Sequence, residues 1–242
     1  MKLTYGNQTI DFLDFELPKV AVLSLSGGLD SAALFYLTCK FAPQIEIVPV
    51  TCIDLNGPLD GLSAIYIVQW MKENFPHVKI HKHEQHQFND KTEDFVTYQQ
   101  VDFSRKTNSR YLGLNRRQMS KILQVDKINY SVLAKWPDAI RFDGMTSNPP
   151  IEEMKSFSME MYEKSEDRRS HDDTKNLNDV LYQPFVNVNK KFVAGIYQEH
   201  DLMDSLYTLT GSCVGTSKET NRFRHVCGKC FWCYEKRWAF NL

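Results

Sequence analysis

The chain has 242 residues, of which 42% are hydrophobic and 24% are charged. This is enough material for one large globular domain, or for such a domain with a small appendage. The formal net charge of -1 excludes a general electrostatic attraction to nucleic acid or to anionic lipid, so any contact with a polyanion must come from a local patch.

The chain shows no pattern of a membrane or secreted protein. Its N-terminus lacks an uninterrupted apolar segment, and no stretch approaches the roughly 18 apolar residues of a membrane span. We therefore expect a cytoplasmic protein that makes no membrane contact.

The first eighty residues alternate between strand and helix patterns. Residues 19–25 read as a buried strand that stops at a glycine pair. The apolar residues that follow recur at spacings of three and four and predict one face of a helix: Ala33, Leu34, Leu37 and Phe41. A strand at 45–53, a helix at 62–75 and a short strand at 78–80 continue the alternation.

The rest of the chain is less regular. Residues 84–110 are polar and predict irregular structure or an insertion, whereas 130–135 predict a helix and 139–142 a further strand that runs into a glycine-containing turn. Residues 159–180 are dense in charge and predict a solvated helix and loop. The β-α-β alternation predicts an α/β fold with a mainly parallel, doubly wound sheet, in which ligands bind at the carboxyl ends of the strands.

The glycine pair belongs to a loop suited to phosphate. Phosphate chains need several backbone N–H donors aimed at one place, which glycines and a helix N-terminus provide. The loop lacks the Gly-Lys-Ser/Thr of a Walker A motif and the glycine spacing of dinucleotide folds. Its six residues are Ser26, Gly27, Gly28, Leu29, Asp30 and Ser31. Asp30 is also a reasonable partner for the Mg²⁺ that accompanies ATP.

Four cysteines near the C-terminus have the spacing of a metal site. Thirteen residues separate Cys213 from Cys227, and two residues separate each of Cys227, Cys230 and Cys233 from the next. Four thiolates match tetrahedral Zn²⁺ in a closed, structural site, while an Fe–S cluster and disulfides stay open as alternatives. Cys39 and Cys52 lie in apolar surroundings and predict buried free thiols.

The loop matches the Ser-Gly-Gly-x-Asp-Ser signature, and the chain thereby resembles the PP-loop ATP pyrophosphatase superfamily. That resemblance implies an enzyme that splits ATP between the α- and β-phosphates and holds pyrophosphate in the loop. Ser26, Asp30 and Ser31 would act on the phosphates. The implied nucleotide-binding residues extend from the strand end through the loop and include the later turn: Ser24, Leu25, Ser26, Gly27, Gly28, Leu29, Asp30, Ser31, Gly144 and Thr146.

The C-terminal third narrows the resemblance. Residues 183–190, 207–213 and 227–233 resemble the corresponding segments of 7-cyano-7-deazaguanine synthase, an enzyme family of queuosine biosynthesis. The resemblance implies that Lys190 neutralises ATP phosphate and that the four cysteines bind zinc. It also implies an AMP-forming C–N ligase that converts 7-carboxy-7-deazaguanine and ammonia to the amide or the nitrile. The turn at 143–150 departs from the family pattern, so the base-recognition residues are not carried over, and a reaction on a related deazapurine or on nucleic acid remains open.

The organisation that follows is an ATP-binding α/β domain at residues 1–182 and a helical, zinc-binding subdomain at 183–242. The expected cofactors are ATP, Mg²⁺ and Zn²⁺, and the expected partners are ATP, a small carboxylated 7-deazapurine and ammonia; a homodimer is an open expectation. Basic and aromatic residues within 213–242 indicate either packing around the metal site or a face for RNA, so direct nucleic-acid binding is also left open.

Two other functions compete with this interpretation. PP-loop folds also support sulfur chemistry, either tRNA thiolation or phosphoadenylyl-sulfate reduction. Thiolation usually needs exposed cysteines that carry a persulfide or a cluster. The chain could also be a nucleotide-binding module without catalytic activity. A second metal site is an alternative to simple solvation for the cluster of His77, His81, His83, Glu84 and His86.

Overall fold

A computed structural model describes residues 1–54, 59–88, 116–150, 152–153, 180–215, 218–221 and 225–242. The predictions of irregular structure over 89–110 and of a solvated helix and loop over 159–179 lie outside these residues. None of the described helices is both long enough and apolar enough to cross a membrane.

A parallel sheet forms the centre of the protein. Its strands are β3 (Val20–Ser24), β4 (Glu46–Asp54), β5 (Glu84–Phe88), β6 (Ile140–Asp143) and β7 (Leu181–Tyr182), in the spatial order β5-β4-β3-β6-β7. Each neighbouring pair is parallel. An antiparallel hairpin of β1 (Lys2–Tyr5) and β2 (Gln8–Asp11) precedes the sheet.

Six helices occur among the described residues: α1 (Leu29–Phe41), α2 (Leu59–Asn74), α3 (Arg116–Leu133), α4 (Lys190–Glu199), α5 (Leu206–Leu209) and α6 (Phe231–Phe240). Successive residues of β3 face opposite sides of the sheet, as the two-residue period of a strand requires. Ala21 and Leu23 enter the larger core that α1, α2 and α4 share. Val20 and Val22 pack beneath α3 in a smaller core. The expected doubly wound α/β fold is therefore confirmed.

The strand pattern was only partly right around the third β segment. Residues 78–80 contribute a single bridge, between Ile47 and Ile80, and the paired strand is β5, which begins at Glu84. The sequence pattern did not reveal β5 because this strand is polar. It is the outermost strand on its side of the described sheet, and a strand at that position needs fewer apolar side chains. The helix predicted at 130–135 is the end of α3, which begins at Arg116.

Helix α1 is buried more completely than its spacing of apolar residues suggested. Its buried residues include Ser31 and Thr38 as well as the apolar ones, because the helix packs between the sheet, α2 and α4. The larger core reaches from Leu3 to Phe240. A boundary at residue 182 between two units stays a prediction.

Candidate nucleotide and metal site

The strand order places the glycine loop at the point where the sheet changes direction. From β3 the chain moves to one side, through β4 and β5, and then returns to the other side of β3 to form β6. Ser24 and Asp143, the last residues of β3 and β6, lie opposite each other. This is the switch point of the sheet, and the crevice beyond the strand ends there, called the switch crevice below, is where open α/β sheets bind ligands.

The loop at 26–31 is shaped by one left-handed residue and one buried hydroxyl. Gly27 has φ of 83°, a conformation that favours glycine. The Ser31 hydroxyl accepts a hydrogen bond from Ser26 N at 3.2 Å and donates one to Gly28 O at 3.2 Å. Gly28 is the N-cap residue of α1 and has an extended backbone conformation. As a glycine it provides no side-chain hydrogen bond to the first amides of the helix. The first amides of α1 therefore point toward the loop opening.

Ser26 differs from Ser31 in where it lies. Ser31 is buried, whereas Ser26 is exposed. The Ser26 hydroxyl lies 3.1 Å from the Ser31 hydroxyl and 3.3 Å from Gly28 N. Ser26 is thus the hydroxyl with the most direct access to a ligand, and Ser31 holds the turn beneath it.

Asp30 joins three elements at the mouth of the loop. Its Oδ2 accepts hydrogen bonds from Thr146 Oγ1 at 3.3 Å and from Lys190 Nζ at 2.5 Å. Lys190 is only 5% exposed, and its Nζ also lies 3.6 Å from Glu235 Oε2. A charged ammonium this deeply buried requires nearby carboxylates. The arrangement places the Lys190 cation beside the loop. The Asp30 carboxylate, which pairs with Lys190, lies where it could also bind a metal ion that accompanies a ligand.

Gly144 lets the β6 turn approach the loop closely. A Cβ atom at this position would lie 2.6 Å from Asp30 O and 3.0 Å from Ser31 N. No side chain fits there without moving the start of α1. Gly144 and Thr146 thus both border the loop.

Three residues assigned to the nucleotide site lie behind the loop. Ser24 Oγ donates to Asn129 Oδ1 at 2.9 Å and accepts from Arg141 Nε at 2.8 Å. Leu25 is buried and its carbonyl accepts from Thr51 Oγ1 at 2.7 Å. The Leu29 carbonyl accepts from Tyr197 Oη at 3.0 Å. These contacts anchor the loop from below, so the side chains of these three residues support the cradle rather than line it.

A buried ion network supports the same crevice. The Arg141 guanidinium is 1% exposed and pairs with Asp126 at 2.7 Å and with Asp143 at 3.1 Å. Burial acts to lower the pKa of Arg141, but the two carboxylates outweigh it and the pKa is raised. The network joins β6 to α3 through Asp126 and to the end of β3 through the hydrogen bond from Arg141 to Ser24. Removing one partner would leave an uncompensated buried charge.

Sequence patterns missed three residues at this site. Gly211 N donates to Gly27 O at 2.9 Å, and the Ser212 hydroxyl lies 3.5 Å from the position that a Cβ on Gly28 would occupy. Gly211 and Ser212 are the two residues immediately before Cys213. Their position next to a predicted metal ligand was the sequence signal that could have identified them. Glu235 carried no signal, because a single acidic residue on a helix usually faces water.

The four cysteines form the group of described residues that could hold a metal ion. Their sulfur atoms all lie within 4.8 Å of one another. The separations of 3.9 Å for Cys227 and Cys233 and 3.5 Å for Cys230 and Cys233 approach the edge of a tetrahedron with Zn–S bonds of about 2.3 Å. They far exceed the disulfide S–S distance of about 2.05 Å. The geometry therefore fits a tetrahedral metal.

Backbone amides support the thiolate form of the cluster. Cys213 Sγ accepts from Cys227 N at 3.1 Å, and Cys227 Sγ accepts from Cys230 N at 3.3 Å. The side-chain hydrogen bond between Cys230 and Cys233, together with amide donors, lowers the pKa of Cys230 to about 5 although burial opposes this. The same hydrogen bond and burial raise the pKa of Cys233, and burial raises the pKa of Cys213. Four sulfur ligands leave no open coordination position, which is typical of a structural site. Zinc itself stays a prediction.

Freshly purified protein is expected to contain about one metal ion per chain if the cluster binds a single tetrahedral ion. Elemental analysis would measure the content, and an absorption spectrum would distinguish colourless zinc from an iron–sulfur chromophore. Cys227→Ser should lower the metal content, whereas Cys39→Ser, outside the cluster, should retain it. Absence of both zinc and iron would contradict the assignment.

The histidines near β5 have other partners. His81 Nε2 lies 2.8 Å from Glu46 Oε2, and His83 Nε2 lies 2.7 Å from Thr51 Oγ1. Burial lowers the pKa of His83 to about 4. In the part of the chain that the structure describes, these histidines do not form a group that could hold a metal.

A cavity of about 480 Å³ opens at the end of the sheet that carries the loops. It is lined by residues of β4, β5 and α3: Ile53, Gln85, His86, Gln87 and Ile128. It is a shallow, largely open depression rather than an enclosed pocket. Val50 is the partner of Ser24 in β3, and Ile53 lies three residues beyond it. The cavity and the loop therefore lie at the same end of the strands.

No protein-family model and no curated protein sequence matches the chain. Among solved structures, the chain is similar to the U34-tRNA thiolase NcsA from Methanococcus maripaludis, solved with its [4Fe-4S] cluster. The TM-score is 0.42 and the sequence identity 14%, and the match covers 92% of this chain and 64% of that chain. A similarity at this level carries no conclusion about function.

Proposed function

We propose that the chain is an ATP-dependent enzyme of the PP-loop ATP pyrophosphatase class, which transfers AMP to an acceptor and releases pyrophosphate. The observation that carries the proposal is the buried Lys190 ammonium beside Asp30, at a glycine loop in the switch crevice of a parallel sheet. A structural glycine turn would not require a buried cation. A polyphosphate ligand would explain the cation, because phosphate oxygens accept strong, charge-assisted hydrogen bonds from an ammonium group.

Each part of the site has a role in this proposal. The first amides of α1, the Ser26 hydroxyl and the Gly27 turn would hold the β- and γ-phosphates. Lys190 would stabilise the negative charge that develops on the departing pyrophosphate. Asp30 is the carboxylate suited to hold Mg²⁺, which would help to neutralise the triphosphate. The cavity beside β4 and β5 lies at the same end of the strands and offers room for a group the size of a nucleobase.

The acceptor that we propose is a carboxylate, and the substrate that best fits the sequence resemblance is 7-carboxy-7-deazaguanine. A carboxylate oxygen attacks the α-phosphorus, an O–P bond forms, and the bond to the β-phosphate oxygen breaks with release of pyrophosphate. Ammonia then attacks the acyl carbon, AMP leaves and a proton is lost, which gives the amide. A second ATP activates the amide oxygen, and its departure with AMP and loss of the amide protons gives the nitrile. The chain contributes positioning and charge stabilisation, so it needs no side-chain nucleophile.

A persulfide route for the sulfur-chemistry alternative needs a reactive thiol outside the four-cysteine cluster. Cys39 is fully buried and burial raises its pKa. Burial also raises the pKa of Cys52 to about 11. Neither is a thiolate near neutral pH, which disfavours a persulfide carrier among the described residues. Loss of product formation in Cys52→Ser, with the metal content unchanged, would favour this alternative.

The direct test is a reaction that contains the protein, ATP, Mg²⁺, ammonium and 7-carboxy-7-deazaguanine. We expect AMP and pyrophosphate in equal amounts, together with the amide or the nitrile, as measured by mass spectrometry. Gly28→Asp provides the control, because the new carboxylate would lie beside the Ser26 and Ser212 hydroxyls and repel phosphate. Binding of ATP without release of pyrophosphate for any carboxylated acceptor would favour a non-catalytic nucleotide-binding module. Failure to bind ATP would overturn the proposal.

A further inference from the structure

One short helix links the cysteine cluster to the glycine loop. Cys230 is the N-cap of α6, and Cys233 lies in its first turn. Glu235 follows two residues later, is 1% exposed and lies 3.6 Å from Lys190 Nζ. Lys190 in turn donates to Asp30 of the loop. A continuous series of contacts therefore runs from two metal ligands to the start of α1.

A second link is the chain segment that leads into the cluster. Gly211 N donates to Gly27 O, and the Ser212 hydroxyl lies over Gly28. The next residue is Cys213, whose sulfur belongs to the cluster. A metal held by these four sulfurs would therefore restrain both the segment that touches the loop backbone and the helix that carries Glu235.

The first turn of the helix is where the metal would act. Trp238 and Phe240 anchor the end of α6 in the larger core, as expected for a helix of ten residues that would be marginal without tertiary packing. Its N-cap residue, Cys230, provides no side-chain hydrogen bond to the helix. Bonds from the metal to Cys230 and Cys233 would hold the first turn in place, and Glu235 with it.

We propose that metal binding at the cysteine cluster and nucleotide binding at the loop are thermodynamically coupled, and that Glu235 is the positioning residue that carries the coupling through Lys190. Metal binding orders α6 and the Gly211 segment, so that Lys190 and the loop backbone are already arranged when the nucleotide arrives. Coupling between two sites is reciprocal. Nucleotide binding must therefore raise the affinity of the cluster for the metal. This inference rests on the proposed function in one respect, namely that a nucleotide occupies the loop.

The test uses the full chain with the metal it carries after purification. The equilibrium distribution of the metal between the protein and a competing chromogenic chelator is measured with and without saturating Mg²⁺ and α,β-methylene-ATP, an analogue that cannot be split between the α- and β-phosphates. Equilibrium dialysis measures the affinity for the analogue separately. We expect the analogue to protect the metal against the chelator by raising its affinity for the cluster by about fivefold or more, the lower range of measured couplings. Glu235→Gln keeps the shape of the side chain but removes its charge, and should reduce this protection to near onefold.

Glu219→Gln is the matched control, because Glu219 pairs with Lys229 at 2.7 Å beside the cluster without lying at the loop. It should retain the full protection. Any direct binding of the metal by the analogue would affect wild type and both variants alike, so the comparison isolates the coupling.

The outcomes separate the coupling from the function. If wild type binds the analogue but its affinity for the metal is unchanged, or if Glu235→Gln is protected like wild type, the coupling is overturned while the proposed function stands. If no nucleotide binds, the proposed function fails first. Should Glu235→Gln not fold, wild type still decides: Mg²⁺ with pyrophosphate must raise the affinity for the metal and adenosine must not. Equal protection by adenosine, which has no phosphate, would overturn the proposal that the coupling passes through the glycine loop.

Discussion

Lys190→Ala is expected to lower the rate of pyrophosphate release by about 100- to 1000-fold, the usual effect of removing a group that stabilises charge in the transition state. Lys190 contacts Asp30 at 2.5 Å and lies near the fully buried Glu235. The substitution would leave two carboxylates at the loop without this cation, where they would repel a polyphosphate. Steady-state kinetics with ATP and the acceptor would measure the change.

The same substitution is expected to reduce stability. Breaking a buried ion pair by removing one partner costs about 3–5 kcal/mol, and urea denaturation would measure the free energy of unfolding. Lys191→Ala is the control, because the neighbouring Lys191 side chain is 35% exposed and pairs with Glu153 away from the loop. Wild-type turnover in Lys190→Ala would exclude a catalytic role for this ammonium.

Gly144→Ala is expected to damage both folding and activity. The added methyl group would lie 2.6 Å from the Asp30 carbonyl oxygen and 2.8 Å from its carbon. Backbone atoms cannot rotate away as a side chain can, so the start of α1 must shift. Overpacking of this kind costs about 1–3 kcal/mol, and a displacement near 1 Å lowers a rate by about 100-fold. Thermal denaturation and steady-state kinetics would measure the two effects.

The control for Gly144→Ala is Gly28→Ala. A methyl group on Gly28 would lie 3.3 Å from the Ser26 hydroxyl and 3.5 Å from the Ser212 hydroxyl, and both are mobile side-chain atoms. Its midpoint of unfolding should therefore stay close to that of wild type. Equal stability of the two variants would show that the contact between Gly144 and the loop is less tight than the structure describes.

The sequence by itself determined the features whose signals are local. The β3 strand, the turn at Gly27 and the start of α1 follow from an apolar run, a glycine pair and a helical spacing within about twenty residues. The spacing of Cys227, Cys230 and Cys233 likewise predicts a cluster without reference to the rest of the chain. The parallel α/β fold followed from the alternation of these elements.

The tertiary structure alone decided how these parts meet. The contact between Asp30 and Lys190 joins residues 160 positions apart, and Gly211 reaches Gly27 from a segment whose own pattern indicated only an approach to Cys213. Glu235 is acidic and lies on a helix, so local rules place it in water; its burial follows from the packing of α6 on α4. Periodicity and spacing record the environment along a single element, whereas a site in the switch crevice is assembled from the ends of several elements that are brought together when the chain folds.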